Sequence, residues 1–183
     1  MPILISLLRG VNVGGAHKIK MDTLREIYTN LGMRDVQTYI QSGNVVCRAP
    51  KITPTLPGQI EAAIEQACGF RPEVVLRTVE QFTAILAANP FAANPAIEPN
   101  KLHVHFLRSA PGPQAATLLE KIPRKNEEIH LIHHEVFVYY PDGIGQSKIT
   151  AAAFDRALHT RNTGRNWNTV TKLHAIATTL AGV

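Results

Sequence analysis

The sequence is poor in cysteine and has no long apolar run. Its only two cysteines, Cys47 and Cys68, do not have CxxC spacing, so we expect buried free thiols rather than a disulfide framework or a thiolate zinc site. The longest apolar run, residues 1–8, has no basic leader or cleavage site and is far shorter than the roughly 20 residues of a membrane span. We therefore expect a cytoplasmic protein without a membrane anchor.

Acidic residues are missing from both ends of the chain. None occurs before Asp22 and none follows Asp155, although the formal net charge is only +5. If the two ends meet, they form a positive surface that attracts phosphates or nucleic acid. The alternative is a set of ordinary solvated basic residues. The cations concerned are Arg9, Lys18, Lys20, Arg156, Arg161, Arg165 and Lys172.

Strand-like and helical patterns alternate along the first half of the chain. Short β-branched and apolar runs indicate strands, and apolar residues at helical spacing indicate two helices that end at Gly32 and Gly69. The predicted strands are residues 2–8, 36–40, 44–48 and 73–77. Residues 2–8 are almost wholly apolar, so we expect them to form a central strand covered on both faces. The resulting order, βαββαβ, is typical of a ferredoxin-like unit.

The second half begins to repeat this order. Thr78 and Gln81 have capping-box spacing for one more helix, and Pro90, Pro95 and Pro99 mark a linker. A strand, a helix, two strands and two helices are then predicted, the strands at residues 102–107, 128–133 and 136–140. We predict an α+β fold of two successive ferredoxin-like (alpha-beta plait) modules, residues 1–90 and 100–183, with an additional C-terminal helix.

Two glycine-rich loops in the first half are candidate ligand-binding segments. Residues 9–15 follow the first strand, and their glycines let the backbone approach a ligand while cations hold an anion. Their glycine spacing fits neither the dinucleotide fingerprint nor a Walker loop, and a tight strand exit is the alternative. Hairpin geometry alone explains the second loop, residues 41–44. The candidate residues are Arg9, Gly10, Asn12, Gly14, Gly15, Lys18, Ser42 and Asn44.

The second half contributes two further candidate loops. In residues 141–148, Ser147, Lys148 and free backbone N–H groups at a helix start would bind a phosphate; a turn followed by a Ser147 cap is the alternative. Residues 163–169 open the last helix with many hydrogen-bonding groups, and Trp167 offers a stacking surface. Helix capping and core anchoring are the alternative there. The candidates in this second loop are Arg165, Asn166, Trp167 and Asn168.

The histidines raise the question of a metal site. His103 and His105 alternate on a predicted strand, and three more lie at residues 130–134. The chain contains no HExxH motif and no adjacent carboxylate cluster, so we predict no metal site and expect exposed or hydrogen-bonded sheet histidines instead. No Ser-His-Asp set or Gly-x-Ser-x-Gly elbow indicates nucleophilic catalysis. The sequence therefore leaves enzymatic activity open and points to no particular cofactor.

Several motifs in order resemble the bacterial family named "domain of unknown function 1697". They are LLRGVNVGG with KIKM, YIQSGNVV, NPF, PDG with SK, and RNWNT, at residues 7–15, 18–21, 39–46, 89–91, 141–143, 147–148 and 165–169. The resemblance implies a fold of two alpha-beta plait modules. It implies no established activity, substrate, cofactor or catalytic residue.

Three functional hypotheses follow. The first is a site for a phosphate-bearing or other anionic small ligand, with Arg9, Asn12, Lys148 and Arg165 in one pocket. The second is a nucleic-acid-binding module, based on the basic ends and a sheet that could present aromatics. The third is a protein-interaction role without catalysis. The sequence does not determine the oligomeric state.

Overall fold

A computed structural model describes residues 1–182 as an α+β protein. In that range the chain forms two four-stranded antiparallel sheets and six α-helices. The strands are β1 (Ile3–Leu8), β2 (Arg34–Tyr39), β3 (Asn44–Arg48), β4 (Val74–Thr78), β5 (Leu102–Leu107), β6 (Glu128–Ile132), β7 (Glu135–Tyr139) and β8 (Asn162–Asn166). The helices are α1 (Met21–Asn30), α2 (Leu56–Cys68), α3 (Val79–Ala87), α4 (Ala115–Glu120), α5 (Ala151–Leu158) and α6 (Trp167–Ala181).

The chain divides into two compact units. The first contains residues 1–83 and 172–182, and the second contains residues 84–171. Helix α6 thus begins in the second unit and ends in the first. The predicted module boundary, between residues 90 and 100, falls in the irregular segment that joins α3 to β5.

The first unit has the strand order β2-β3-β1-β4. β1 pairs antiparallel with both β3 and β4, so that Ile5 lies opposite Val46 on one side and Arg77 on the other. All six residues of β1 are buried, which confirms the prediction of a central strand covered on both faces. A core between one sheet face and helices α1 and α2 includes Leu4, Leu8, Leu24, Tyr28, Val45, Ile60, Ile64 and Val74.

The predicted capping box stands at the start of α3. The Thr78 backbone N–H donates to Gln81 Oε1 at 2.8 Å, and the Gln81 backbone N–H donates to Thr78 Oγ1 at 3.3 Å. Both arms of the motif are therefore formed. They start the helix directly at the end of β4, without an intervening loop.

The second unit has the strand order β6-β7-β5-β8. The prediction that residues 163–169 form only the loop that opens the last helix is wrong, because Asn162–Asn166 is strand β8, paired antiparallel with β5. The sequence NTGRN lacks the apolar alternation of a strand, so pairing with β5 decides its conformation. The element order here is β5-α4-β6-β7-α5-β8, whereas the sequence predicted two helices in succession after β7.

Residues 141–150 differ from the predicted direct passage from a strand into a capped helix. Ile144–Gln146 forms a short 3-10 turn, and Ser147 is extended. Thr150 caps α5 instead, since its Oγ1 accepts the backbone N–H of Ala153 at 3.1 Å. Ser147 is therefore free of the capping role and contributes to the wall of a cavity.

Within residues 1–182, no helix has the length and apolar character needed to cross a membrane.

Candidate functional site

The second unit contains a cleft of about 440 Å³ between two polar loops. One loop joins α4 to β6, and the other follows β7. A volume of this size suits a small molecule, because ligand pockets typically measure about 300–1,000 Å³. We call this cavity the second-unit cleft; its lining residues are Pro123, Arg124, Lys125, Asn126, Glu127, Tyr140, Asp142, Gly143, Gln146, Ser147 and Lys148.

Glu127 ties the two loops of the cleft together. Ser147 Oγ donates to Glu127 Oε1, and Ser147 Oγ in turn accepts the backbone N–H of Ile149 at 3.1 Å. Glu127 Oε2 accepts the backbone N–H groups of Lys125 at 2.8 Å and Asn126 at 3.2 Å. Because the Ser147 hydroxyl and these N–H groups stabilise the carboxylate, the pKa of Glu127 falls to about 2. A carboxylate this weakly basic is poorly suited to act as a general base toward Ser147.

The charges of the cleft are unequally engaged. Lys125 Nζ and Asn126 Nδ2 both bind Asp142 Oδ2 at 3.1 Å, which lowers the pKa of that carboxyl. Arg124 donates to the Leu119 carbonyl at 3.1 Å. Lys148 is exposed and has no hydrogen bond or ion pair within the part of the chain that the structure describes. Both carboxylates of the cleft are therefore occupied, and one cation, Lys148, is available to a ligand.

Tyr140 is the one buried residue among the eleven that line the cleft. Its hydroxyl lies 3.3 Å from Nε2 of His105, and His105 Nδ1 lies 2.9 Å from Asn162 Oδ1. Asn162 Nδ2 donates to Asp155 Oδ1 at 2.9 Å. Burial raises the pKa of Tyr140, and the charge of Glu127 adds to this effect, so the phenol keeps its proton at neutral pH.

Acid should weaken the cleft through Glu127. Its folded-state pKa lies below its ordinary value of 4.5, so the stability it contributes is present above pH 4.5 and disappears as the pH falls through about 2. We expect Glu127→Gln to remove about 1 kcal/mol at neutral pH, since solvent screens a half-buried group. Urea unfolding from pH 2 to 7 measures this. The variant should lose less stability in acid than the wild type, and Glu128→Gln, the exposed neighbour, should follow the wild type. Parallel curves for Glu127→Gln and the wild type would contradict the assignment.

In the first unit, Asn12 joins the two predicted glycine-rich loops. Its Nδ2 donates to the Ile19 carbonyl at 3.0 Å and to the Gln41 carbonyl at 2.8 Å, and its Oδ1 accepts the Ile19 backbone N–H at 2.9 Å. Asn12 also has a positive φ of 56°, a conformation that asparagine tolerates better than most residues. The structure thus brings residues 9–20 and 40–44 together and gives Asn12 a structural role there.

The other first-unit candidates are also largely engaged with the protein. Arg9 forms an ion pair of 3.5 Å with Glu73. Asn44 is buried, and its Nδ2 donates to the Tyr39 carbonyl and to Ser42 Oγ. Lys18 is exposed. Gly10, Gly14 and Gly15 all have positive φ, and a Cβ on any of them would meet no atom within 4 Å.

The candidates of residues 163–169 do not line the second-unit cleft. Arg165 is buried, and its guanidinium donates to Thr163 Oγ1 and to the Gly164 carbonyl, each at 2.8 Å; burial lowers the pKa of Arg165 to about 10. Asn166 caps α6, because its Oδ1 accepts the Thr169 backbone N–H at 2.9 Å. Trp167 packs on Phe137 with ring centroids 6.5 Å apart, and Asn168 is exposed. Lys148 and Arg165, predicted to share a pocket, are thus not both in the cleft.

Sequence reasoning selected Ser147 and Lys148 but missed Glu127, Tyr140 and the residues behind Tyr140. Glu127 looked like an ordinary charged loop residue, and Asn162 lay outside every motif. For His105 the sequence indicates an exposed or hydrogen-bonded sheet histidine rather than a metal ligand, but it does not indicate which groups bind it. In residues 1–182, no cluster of three or more His, Cys, Asp or Glu side chains is arranged to hold a metal ion. The clue that sequence did offer was a histidine inside an apolar strand, which requires a buried polar partner.

Comparison with known proteins gives a family and a fold. The chain matches the family described as "Protein of unknown function (DUF1697)" over residues 1–137. It is similar in structure to a conserved bacterial protein from Streptococcus pneumoniae, with a TM-score of 0.74 and 23% sequence identity, over 97% of this chain and 98% of that one. At this identity the likeness shows the fold alone. No curated protein matches the chain.

Proposed function

The chain belongs to the protein family of unknown function DUF1697. Since this membership supplies no substrate, we propose from the geometry that the protein binds a small anionic ligand in the second-unit cleft. The observation that carries this proposal is Lys148, an exposed cation on the rim of a cavity of about 440 Å³ in which both carboxylates already have partners. A phosphate or carboxylate group would pair with Lys148, with Arg124 and the amides of the rim close by. Ser147 serves by holding the loop that carries Lys148.

Two features support a small anion over a long polymer. The cavity has the volume of a single small molecule. Its cations Arg124, Lys125 and Lys148 face the two carboxylates Glu127 and Asp142, which leaves a local excess of one positive charge. A nucleic-acid strand needs a longer basic track. The other residues that the sequence predicts as ligand contacts do not line this cleft and stay predictions: Arg9, Gly10, Asn12, Gly14, Gly15, Lys18, Ser42, Asn44, Arg165, Asn166, Trp167 and Asn168.

We expect Lys148→Gln to weaken anion binding by about 10- to 100-fold, the usual worth of one charged hydrogen bond. The measurement is a thermal-shift screen with inorganic phosphate, sugar phosphates, nucleotides and short RNA at two salt concentrations. A ligand at about 100 times its Kd adds roughly 2.7 kcal/mol of stability. Lys51→Gln, which changes an exposed lysine in the first unit, is the matched control.

The outcomes separate the hypotheses. A shift with a small anion that Lys148→Gln abolishes and Lys51→Gln retains supports the cleft. A small-anion shift that survives Lys148→Gln places binding elsewhere and overturns the proposal. A shift with RNA alone that disappears at high salt favours the nucleic-acid hypothesis. No shift with any compound favours a protein partner.

We also propose the finer description of the fold and location. The strand orders β2-β3-β1-β4 and β6-β7-β5-β8 support two ferredoxin-like modules. In each unit a helix follows the first and the third strand along the chain. The proline-marked segment 90–100 would be their linker, as the sequence predicts. Cys47 and Cys68 are both free, which is in keeping with a reducing, cytoplasmic location.

A further inference from the structure

A chain of hydrogen-bonded polar groups leads away from the wall of the second-unit cleft. It starts at Tyr140, which lines the cleft, and passes through His105 and Asn162 to Asp155, with successive heavy-atom distances of 3.3, 2.9 and 2.9 Å. Asp155 is the end of the chain, and its second carboxylate oxygen accepts from Arg161 at 2.9 Å. Tyr140, His105 and Asn162 are each at least nine-tenths buried.

The direction of the protons follows from the groups themselves. The Asp155 carboxylate can only accept, so the Asn162 amide nitrogen donates to it and the Asn162 oxygen faces His105. That oxygen accepts, so the hydrogen of the neutral imidazole lies on Nδ1, and Nε2 is an acceptor. The Tyr140 hydroxyl therefore donates its hydrogen bond to Nε2. The only hydrogen of the phenol is thus engaged in the hydrogen bond to His105, so its oxygen can only accept a further hydrogen bond from a ligand.

The surroundings hold His105 in this orientation. Its ring packs on Phe154 with centroids 4.7 Å apart. On another side the ring lies against Gly164. A Cβ added to Gly164 would lie only 3.0 Å from the ring carbon Cε1, so there is little free space on this side. The ring cannot turn away from Tyr140 without displacing these neighbours. The acceptor character of the Tyr140 oxygen is thus fixed by packing.

One residue that packs on the same tyrosine carries a buried polar atom without a hydrogen-bond partner. His103 is buried, its ring meets that of Tyr140 edge to face with centroids 5.2 Å apart, and its Nδ1 has no hydrogen-bond partner within residues 1–182. Burial lowers the pKa of His103, although a backbone hydrogen bond to Lys101 opposes this. A buried polar atom left in this state is unusual and calls for a hydrogen-bonding group close to Tyr140.

We propose that Tyr140 is the specificity-determining residue of the cleft and that it selects anions carrying a hydroxyl group. This inference rests on the proposed function, in which Lys148 holds the anionic group. Phosphate dianions and carboxylates present only hydrogen-bond acceptors. An anion without a hydroxyl group therefore cannot form a hydrogen bond with the Tyr140 oxygen, which is itself an acceptor. A ligand hydroxyl donates to the Tyr140 oxygen instead. The ligand class is therefore a small hydroxylated phosphate or carboxylate.

The test compares two phosphates of equal chain length, glycerol 3-phosphate and propyl phosphate, by titration calorimetry at pH 8, where both are dianions. The wild type should bind glycerol 3-phosphate about tenfold more tightly, the effect expected of one buried hydrogen bond. Tyr140→Phe should bind the two compounds equally. Tyr139→Phe, which removes the neighbouring hydroxyl on β7, should keep the preference.

A second variant covers the risk that Tyr140→Phe disturbs folding, since it leaves His105 Nε2 without its donor. His105→Phe keeps Tyr140 and frees its hydrogen, so the phenol can donate; the preference for glycerol 3-phosphate should fall to about onefold or reverse. The ratio of the two affinities does not depend on stability, which makes it a readout that a purely structural role of His105 would leave unchanged.

Failure of the inference is distinguishable from failure of the site. Equal binding of both phosphates by the wild type, with both weakened by Lys148→Gln, overturns the role of Tyr140 and leaves the anion site in place. A preference that persists in Tyr140→Phe and in His105→Phe also overturns it. If neither phosphate binds the wild type, both the anion site and the selection by Tyr140 are wrong.

Discussion

Gly43→Ala is expected to lower the free energy of unfolding by roughly 2 to 5 kcal/mol. Gly43 has a φ of +70°, and a Cβ there would lie 2.7 Å from the Cβ of Leu8. Leu8 is fully buried at the end of β1, and its backbone N–H donates to the Gly43 carbonyl at 2.9 Å. Moving either residue away from the other would break this backbone hydrogen bond. The substitution therefore combines an unfavourable backbone conformation, about 1–2 kcal/mol, with overpacking, about 1–3 kcal/mol.

Gly14→Ala separates the two contributions. Gly14 has a similar φ of +61° but no atom within 4 Å of an added Cβ, so only the conformational cost of about 1–2 kcal/mol applies. Urea unfolding followed by circular dichroism compares the two variants with the wild type. Equal losses for Gly43→Ala and Gly14→Ala would show that the hairpin turn yields, and that Leu8 does not fix its position.

Gly164→Ala is expected to destabilise the second unit by about 1–3 kcal/mol through overpacking alone. The added Cβ would lie 3.0 Å from Cε1 and 3.2 Å from Nδ1 of His105. His105 is held by Asn162, Tyr140 and Phe154, so it has no free direction in which to yield. A shift of the ring would also lengthen its hydrogen bond to Tyr140.

Trp167 provides a local signal for this variant, because it is the only tryptophan and follows β8 directly. Denaturant unfolding monitored by its fluorescence should show an earlier midpoint for Gly164→Ala. The control is Gly145→Ala, since a Cβ on Gly145 meets no atom within 4 Å. A midpoint for Gly164→Ala equal to that of the control would mean that His105 is mobile, and the fixed acceptor at Tyr140 would lose its basis.

Much of the first unit follows from local pattern. The charge-free run that becomes β1 is buried on both faces, the helix that ends at Cys68 is followed by Gly69 with a left-handed φ of +78°, and both hydrogen bonds of the Thr78–Gln81 capping box form. Each of these depends on residues close in sequence. Apolar periodicity and end signals are local, so sequence suffices to predict them.

Strand β8 shows where local pattern is insufficient. The polar residues of Asn162–Asn166 have low strand propensity, and they become a strand because β5 offers hydrogen-bonding groups along its free edge. The buried Asn162 and Thr163 then find polar partners in the fold. A strand that depends on its partner cannot be found from its own residues.

The candidate site divides in the same way. Ser147 and Lys148 were visible as a polar segment beside glycines, whereas Glu127, which holds Ser147, lies 20 residues away in the chain. Arg165 looked like a ligand-binding cation, but the sheet buries it and Thr163 and Gly164 bind its guanidinium. Composition could not distinguish an available cation from one engaged by its own strand.

The sequence by itself determined the α+β class, the central strand β1, the starts and ends of several helices and the presence of polar loops, because propensity, periodicity and glycine conformation act over a few residues. Tertiary structure alone decided which loops meet. It brought Glu127 to Ser147 and placed the Tyr140 hydroxyl beside the buried His105. Hydrogen-bond direction and burial depend on neighbours distant in the chain, so the identity of the available cation and of the buried acceptor emerges only when the chain is folded.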